Sequence, residues 1–255
     1  MIATAAPPSG YTRILVPGAD VVALASVADT VRQAVMTRSL YSYAAAHPAR
    51  RSLRGRGTAY AVPLPDGATH VVVRHSRHGG LLAPVTGDRF LPPTRAPQEL
   101  RTALHLADAG VATPEVLAYA TYPAGPLFRK SDVATREVAG GTDLGELLGS
   151  PHERAELRAI LEAAADLLRM LERAGARHPD LNIANVLIVT EGDGSRTAVV
   201  LDVDRIEFGV PGDAAIGAAN LRRLIRSAHK QRALGAITVT DADLDTLAAA
   251  AGYSL

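Results

Sequence analysis

A chain of 255 residues with 47% hydrophobic side chains can bury a core as one domain or two small lobes. Its 27 basic and 26 acidic residues leave a formal net charge of +1, which argues against a globally basic nucleic-acid binder. The absence of cysteine excludes a disulfide framework and a thiolate metal site.

Charge is nevertheless uneven. Arg50, Arg51, Arg54, Arg56, Arg74, His75, Arg77 and His78 crowd the first third, and a second basic cluster lies near the C-terminus. Local positive fields of this kind favour anionic substrates such as phosphates and carboxylates. The first ten residues, MIATAAPPSG, lack a basic region and a sustained apolar run, so no secretory signal is expected. No stretch reaches the roughly 18 uninterrupted apolar residues of a spanning helix, and a cytoplasmic protein is expected.

In chain order, residues 1–48 read as a loosely specified extension with one short helix around Val27–Ser39. Strands follow at Thr58–Pro63 and Thr69–His75, separated by the turn signal Pro65-Asp66-Gly67. A Gly- and Pro-rich loop runs from His78 to Pro93. Thr94 is placed to cap a helix over Pro97–Ala109 that ends at Gly110. Strands at Val116–Tyr122 and Leu127–Val138 complete a small β-rich lobe, residues 49–139, with one helix. Gly140-Gly141 marks a hinge into a larger α-helical lobe, residues 140–255.

There Ser150-Pro-His-Glu153 matches a capping box opening a helix to about Arg173. Leu157, Ile160, Leu161, Ala164, Leu167, Leu168 and Leu171 recur along it at helical spacing. A hairpin follows, with Val186–Val189 and Thr197–Leu201 joined by the turn Glu191–Ser195, and then helices near Ala218–Ala233 and Asp241–Ala250. In the first of these helices Leu221, Leu224, Ile225 and Ala228 share one face, and Arg222, Arg223, Arg226 and Lys230 occupy the rest. Two readings fit: a core helix with a solvated cationic side, or an interfacial helix on anionic lipid.

The chemistry concentrates in His178-Pro-Asp180-Leu-Asn-Ile-Ala-Asn185 and in Asp202-Val-Asp204-Arg205. The hairpin returns Asp202 to the neighbourhood of Asn185, and a carboxylate with an amide oxygen suits a hard cation such as Mg²⁺. Asp180 is left to orient a hydroxyl as general base, with His178 bracing the loop. This is the apparatus of phosphoryl transfer in the protein-kinase manner. Each piece also has a plainer reading, Asp180 as a turn residue and Asp202 as a strand-end cap. The five-residue spacing, the strand and the second acid must all agree for the kinase reading.

Other members stand in kinase order. Gly55 and Gly57 precede the first strand, where a backbone can approach phosphates without a Cβ clash. Arg74 ends the Val71-Val72-Val73 strand in the place of a phosphate-binding cation, and Glu99 early in the next helix stands where its acidic partner belongs. The alternatives are a solvated strand-end cation and a favourable charge on a helix dipole.

Taken together, Arg74-His-Ser-Arg77-His78-Gly79-Gly80-Leu81, Gly87-Asp88-Arg89-Phe90, the Asp180–Asn185 loop and Leu201-Asp202-Val-Asp204-Arg205 resemble the 3-deoxy-D-manno-octulosonic acid (Kdo) kinases. These stand within the wider lipopolysaccharide core kinases, and the similarity runs from about Gly55 to the Asn220-Leu-Arg-Arg helix. The resemblance implies an α+β, bilobal protein-kinase-like fold using ATP and Mg²⁺. Asp180 is its catalytic residue, Asn185 and Asp202 are its metal ligands, and Gly55, Gly57, Arg74 and Glu99 serve the nucleotide.

It also implies a lipid-linked acceptor, the 4-hydroxyl of Kdo on a lipid A precursor. Its location would be the cytoplasmic face of the inner membrane, with Arg77, His78, Arg89 and Arg205 available to acceptor charge. Arg replaces the usual strand Lys, Pro179 replaces the catalytic-loop Arg, and Val203-Asp204 replace Phe-Gly. No Ala-Pro-Glu segment is present to dock a polypeptide. A heptose kinase, a kinase for a soluble sugar or aminoglycoside, and a non-catalytic pseudokinase remain alternatives.

Overall fold

Pro17-Gly18 sits between two short runs rich in β-branched residues, and the chain folds back there. Strands β1 (Tyr11–Val16) and β2 (Ala19–Leu24) pair antiparallel with Val16 opposite Ala19, so Pro17 and Gly18 form the whole turn. Gly18 takes φ +78°, a left-handed conformation that costs glycine nothing because it has no Cβ. The structure, a computed structural model, describes residues 6–53, 58–76 and 88–254.

This hairpin corrects the reading of residues 1–48 as an extension. It is one side of a seven-stranded sheet with β3 (Arg51–Leu53), β4 (Ala59–Pro63), β5 (His70–His75), β6 (Val116–Pro123) and β7 (Arg129–Arg136). The order is β1-β2-β6-β7-β5-β4-β3, with every neighbouring pair antiparallel. Helices α1 (Ala28–Val35) and α2 (Leu40–Ala46) bury Val31, Ala34, Val35, Leu40 and Ala44 in a core shared with Ile14, Val21, Val62, Val71 and Leu117. The β-rich half therefore holds more than the one expected helix.

Ser39 caps α2 locally, its hydroxyl accepting from Ser42 N–H, but the first two donors of the helix are satisfied from far along the chain. Leu40 N–H donates to the Tyr122 hydroxyl at 2.8 Å and Tyr41 N–H to Asp132 Oδ2 at 2.9 Å, across 82 and 91 residues. Elsewhere the turn chemistry is local. Asp66 accepts from the backbone N–H of Ala68 and Thr69 and from the Thr69 hydroxyl, fixing the β4–β5 turn.

Helix α3 (Ala96–Asp108) begins after Thr94, but Thr94 does not cap it; the Thr94 hydroxyl is buried and makes no hydrogen bond among the described residues. Two compact units emerge. The first holds residues 1–101 and 115–137, the second residues 102–114 and 138–255.

In the second unit, β8 (Thr142–Asp143) and α4 (Leu144–Gly149) precede α5 (Arg154–Arg173), which buries Ile160, Leu161, Ala164, Leu167, Leu168 and Leu171 at the expected spacing. The capping box expected at Ser150 is absent. Ser150 follows the last residue of α4 and its hydroxyl donates to Glu146 O, while Glu153 occupies the N-cap of α5 without a side-chain bond. A short strand β9 (Ala176–Arg177) leads to the hairpin β10 (Val186–Thr190) and β11 (Arg196–Val200), with Val186 opposite Val200.

Strand β8 extends that hairpin to three strands, and β12 (Glu207–Phe208) pairs with β9. Helices α6 (Ala214–Ala233) and α7 (Asp241–Ala250) close the unit, and α7 carries a true capping box between Thr240 and Asp243. The chain is α+β, and among the described residues no helix is long and apolar enough to cross a membrane.

Candidate active site

Residues 178–185 form a loop whose shape is fixed from three sides. His178 is buried; its N–H donates to Asn220 Oδ1 at 2.9 Å, and Asn220 Nδ2 donates to Ala176 O at 2.9 Å. The His178 ring spans the loop. Its Nδ1 lies 3.3 Å from the Asp180 N–H and its Nε2 lies 3.1 Å from Leu201 O. Because Nδ1 faces a donor and Nε2 an acceptor, the ring is the neutral Nε2–H tautomer. Burial agrees, pushing His178 below the ordinary histidine range despite the nearby carboxylates of Asp202, Asp180 and Asp204. His178 is a brace.

The backbone of Asp180 is held as firmly. Its carbonyl accepts from Asn182 Nδ2 at 2.8 Å and from Asn185 Nδ2 at 3.2 Å. Asn182 also caps the short 3₁₀ turn Ile183–Asn185 through Ala184 N–H. With Nδ2 committed to Asp180, Asn185 retains Oδ1, the atom a hard cation prefers, without a hydrogen bond among the described residues. The Asp180 carboxylate is paired with Arg205 Nη1 at 2.5 Å.

Asp202 stands two residues past the end of β11. Leu201 N–H donates to Asn185 O at 2.9 Å, so the hairpin register brings the amide and the acid to adjacent rungs. Asp202 adopts φ +58°, ψ +49°, and is the one non-glycine residue with positive φ among those described. Aspartate tolerates the left-handed region better than most residues, yet the conformation still costs about 1–2 kcal/mol. Strain kept at such a position accords with a functional constraint on where the carboxylate goes. The turn Val203–Arg205 follows directly and carries Asp204 and Arg205.

In the first unit, Arg74 on β5 is ion-paired with Glu99 in the first turn of α3. Glu99 is only 3% exposed, so its charge is tolerable because the guanidinium meets it. Gly55 and Gly57 lie outside the described residues, as do Arg77 and His78.

Asn220 was not foreseen, although it holds both ends of the loop's approach. A lone amide on the apolar face of α6, one residue before Leu221, was the available signal. Among the described residues no group of three or more His, Cys, Asp and Glu side chains forms a metal cage. An amide oxygen and a carboxylate nevertheless fit Mg²⁺, which typically takes one or two protein oxygens and completes its octahedron with water and phosphate.

Comparison with known proteins bears on the same stretch of chain. The family described as lipopolysaccharide kinase (Kdo/WaaP) matches residues 44–251. A 3-deoxy-D-manno-octulosonic acid kinase from Vibrio vulnificus (strain YJ016) is 32% identical over 200 residues, covering 77% of this chain and 80% of the relative. One from Stenotrophomonas maltophilia (strain R551-3) is 30% identical over 210 residues, covering 79% and 77%. Among solved structures, "WaaP in complex with acyl carrier protein" superposes with a TM-score of 0.58 at 22% identity, covering 87% of this chain and 86% of that one. That likeness establishes the protein-kinase-like fold.

Proposed function

The chain belongs to the lipopolysaccharide kinase (Kdo/WaaP) family, and from that premise we propose that it moves the terminal phosphoryl group of ATP to the 4-hydroxyl of a Kdo residue on a lipid A precursor. The observation that carries the reading is the loop and hairpin around Asp180. Its backbone is clamped by two asparagines, and the register sets Asn185 against the residue before Asp202. Phosphoryl transfer asks little covalent chemistry of a protein and much positioning and charge stabilisation, which a braced loop provides.

In this reading Asp180 orients the sugar hydroxyl and accepts its proton. Arg74, held by Glu99, presents a planar fork to the nucleotide phosphates, binding them differently from the point charge of a lysine. Asn185 Oδ1 and the Asp202 carboxylate would hold Mg²⁺, which when bound neutralises phosphate charge. His178 and Asn220 keep the loop in register and touch neither substrate.

We also place the protein at an anionic membrane surface, where its lipid-linked acceptor resides. Arg222, Arg223, Arg226 and Lys230 of α6 are all exposed. The apolar face of α6 is buried within the protein, so the attraction is electrostatic and no helix face inserts into lipid.

The test is direct: ATP and Mg²⁺ with a Kdo-bearing lipid A precursor, a heptosylated core and free sugars, followed by mass spectrometry. A phosphate on the Kdo ring of the precursor is the expected product. Transfer to heptose or to a free sugar instead would reassign the acceptor, and ATP binding without transfer to any of them would mark a pseudokinase.

A further inference from the structure

Arg205 is ion-paired with the residue that orients the acceptor hydroxyl in the reaction just described. Among the described residues the only ion pair of Arg205 is with Asp180, and it uses Nη1 alone. A guanidinium carries five N–H donors in a rigid fork, so most of its hydrogen-bonding capacity remains. The Arg205 side chain is 49% exposed and that of Asp180 25%, so solvent or a ligand can reach both.

The setting is acidic. Asp180, Asp202 and Asp204 all lie close enough to His178 for their charge to act on it. Arg205 is fixed relative to Asp202 by the short turn Val203–Arg205, of which Asp202 is the N-cap and Arg205 the last residue.

We propose that Arg205 reads the carboxylate of the acceptor sugar, its Nη1 holding Asp180 while its remaining donors hold the sugar acid. The inference rests on the proposed reaction, whose acceptor is an acid by its chemistry. One planar group then ties the acceptor's acidic end to the residue that orients its hydroxyl. Arg205 is thereby a specificity-determining residue, and the ion pair with Asp180 is what aims it. Paired, hydrogen-bonded carboxylate recognition is the geometry for which arginine is suited and lysine is not. A neutral sugar lacks the partner this fork requires, whereas an acid acceptor among these carboxylates depends on the arginine to offset their repulsion.

The experiment compares a Kdo-bearing lipid A precursor with the same molecule whose Kdo carboxyl is reduced to an alcohol, using wild type, Arg205→Gln and Arg205→Lys. Arg205→Gln should raise the KM for the acid acceptor about ten- to a hundredfold, the usual scale for losing a charge-assisted carboxylate contact. On the alcohol acceptor, already weak with wild type, the same substitution should change KM by less than about threefold, because the two deletions remove one interaction. Arg205→Lys should fall between, keeping charge without the fork.

The KM for ATP and the melting temperature should stay near wild type in both variants. Equal losses on the acid and the alcohol would reduce Arg205 to a support for Asp180 and overturn the inference. Wild type transferring phosphate to neither acceptor would overturn the proposed reaction, and the inference with it.

Discussion

At the scale of single residues, the loop grips Asp180 through its backbone and leaves the carboxylate to chemistry. Asn182 and Asn185 both donate to the Asp180 carbonyl, while the side chain meets Arg205. Asp180→Asn is therefore a clean substitution that should leave the fold unchanged. It should lower kcat by about 10²–10⁴, the range for removing a positioned general base, while calorimetry shows ATP binding nearly intact. Full activity in that variant would remove Asp180 from its assigned role.

Asn220 predicts a different phenotype. Asn220→Leu strips partners from two buried backbone groups, His178 N–H and Ala176 O, each worth about 1–3 kcal/mol when left unsatisfied. Denaturant unfolding should register that loss of stability, accompanied by reduced turnover as the loop loosens. The difference in legibility between these residues is physical. Asp180, Asn185 and Asp202 sit on one local hairpin whose turn is written in Glu191–Ser195. Asn220 reaches His178 across 42 residues, a pairing that no local pattern announces.

At the scale of elements, sequence signals succeeded where an element's own residues stabilise it. Helix α7 spans Asp241–Ala250 as expected, because Thr240 and Asp243 cap it and its apolar spacing is regular. They failed where stabilisation is borrowed. Helix α2 has a local cap in Ser39 but takes the partners of its first two donors from Tyr122 and Asp132, and the β1–β2 hairpin gains its partner only when β6 arrives alongside β2. Pro17-Gly18 between β-branched runs was a hairpin signal within reach.

Helix α6 follows the first of the two readings its sequence allowed, a core helix with a solvated cationic side. Its apolar stripe is consumed by Ile216, Leu221, Leu224, Ile225 and Ala228 in the protein interior, so only its cations are free to meet lipid. Binding to vesicles containing phosphatidylserine should then fall steeply as salt rises, since each cation contributes about 1 kcal/mol and screening weakens it. Arg222→Glu with Arg226→Glu should abolish vesicle sedimentation while leaving stability near wild type, because both side chains are exposed. Salt-independent binding would point to an apolar contact elsewhere.

At the scale of the whole molecule, two histidines give the two units opposite responses to pH. In the first unit, His75 Nδ1 lies 2.5 Å from buried Asp132 and Nε2 lies 3.0 Å from Asp88, which Lys130 also pairs at 2.7 Å. The Asp132 hydrogen bond raises His75 above the ordinary histidine value, with Asp88 adding to it against the cost of burial. The folded unit thus holds this proton more tightly than the unfolded chain does. Its contribution is complete below about pH 6.5 and disappears as pH climbs through the raised value.

In the second unit, burial depresses His178, and the folded state resists the proton that the unfolded chain accepts. That unit is therefore penalised as pH falls from about 6.5 through the depressed value, and it is unaffected above. Hydrogen exchange followed peptide by peptide, corrected for intrinsic rates, separates the two. From pH 6 to 9, peptides covering β5 and β7 should lose protection in wild type. His75→Gln should remove that slope while lowering protection at pH 6, where Asp132 loses its cationic partner. From pH 7 to 5, peptides covering residues 176–188 should lose protection regardless of residue 75. A common slope across both units would mean that the histidines do not govern their stability separately.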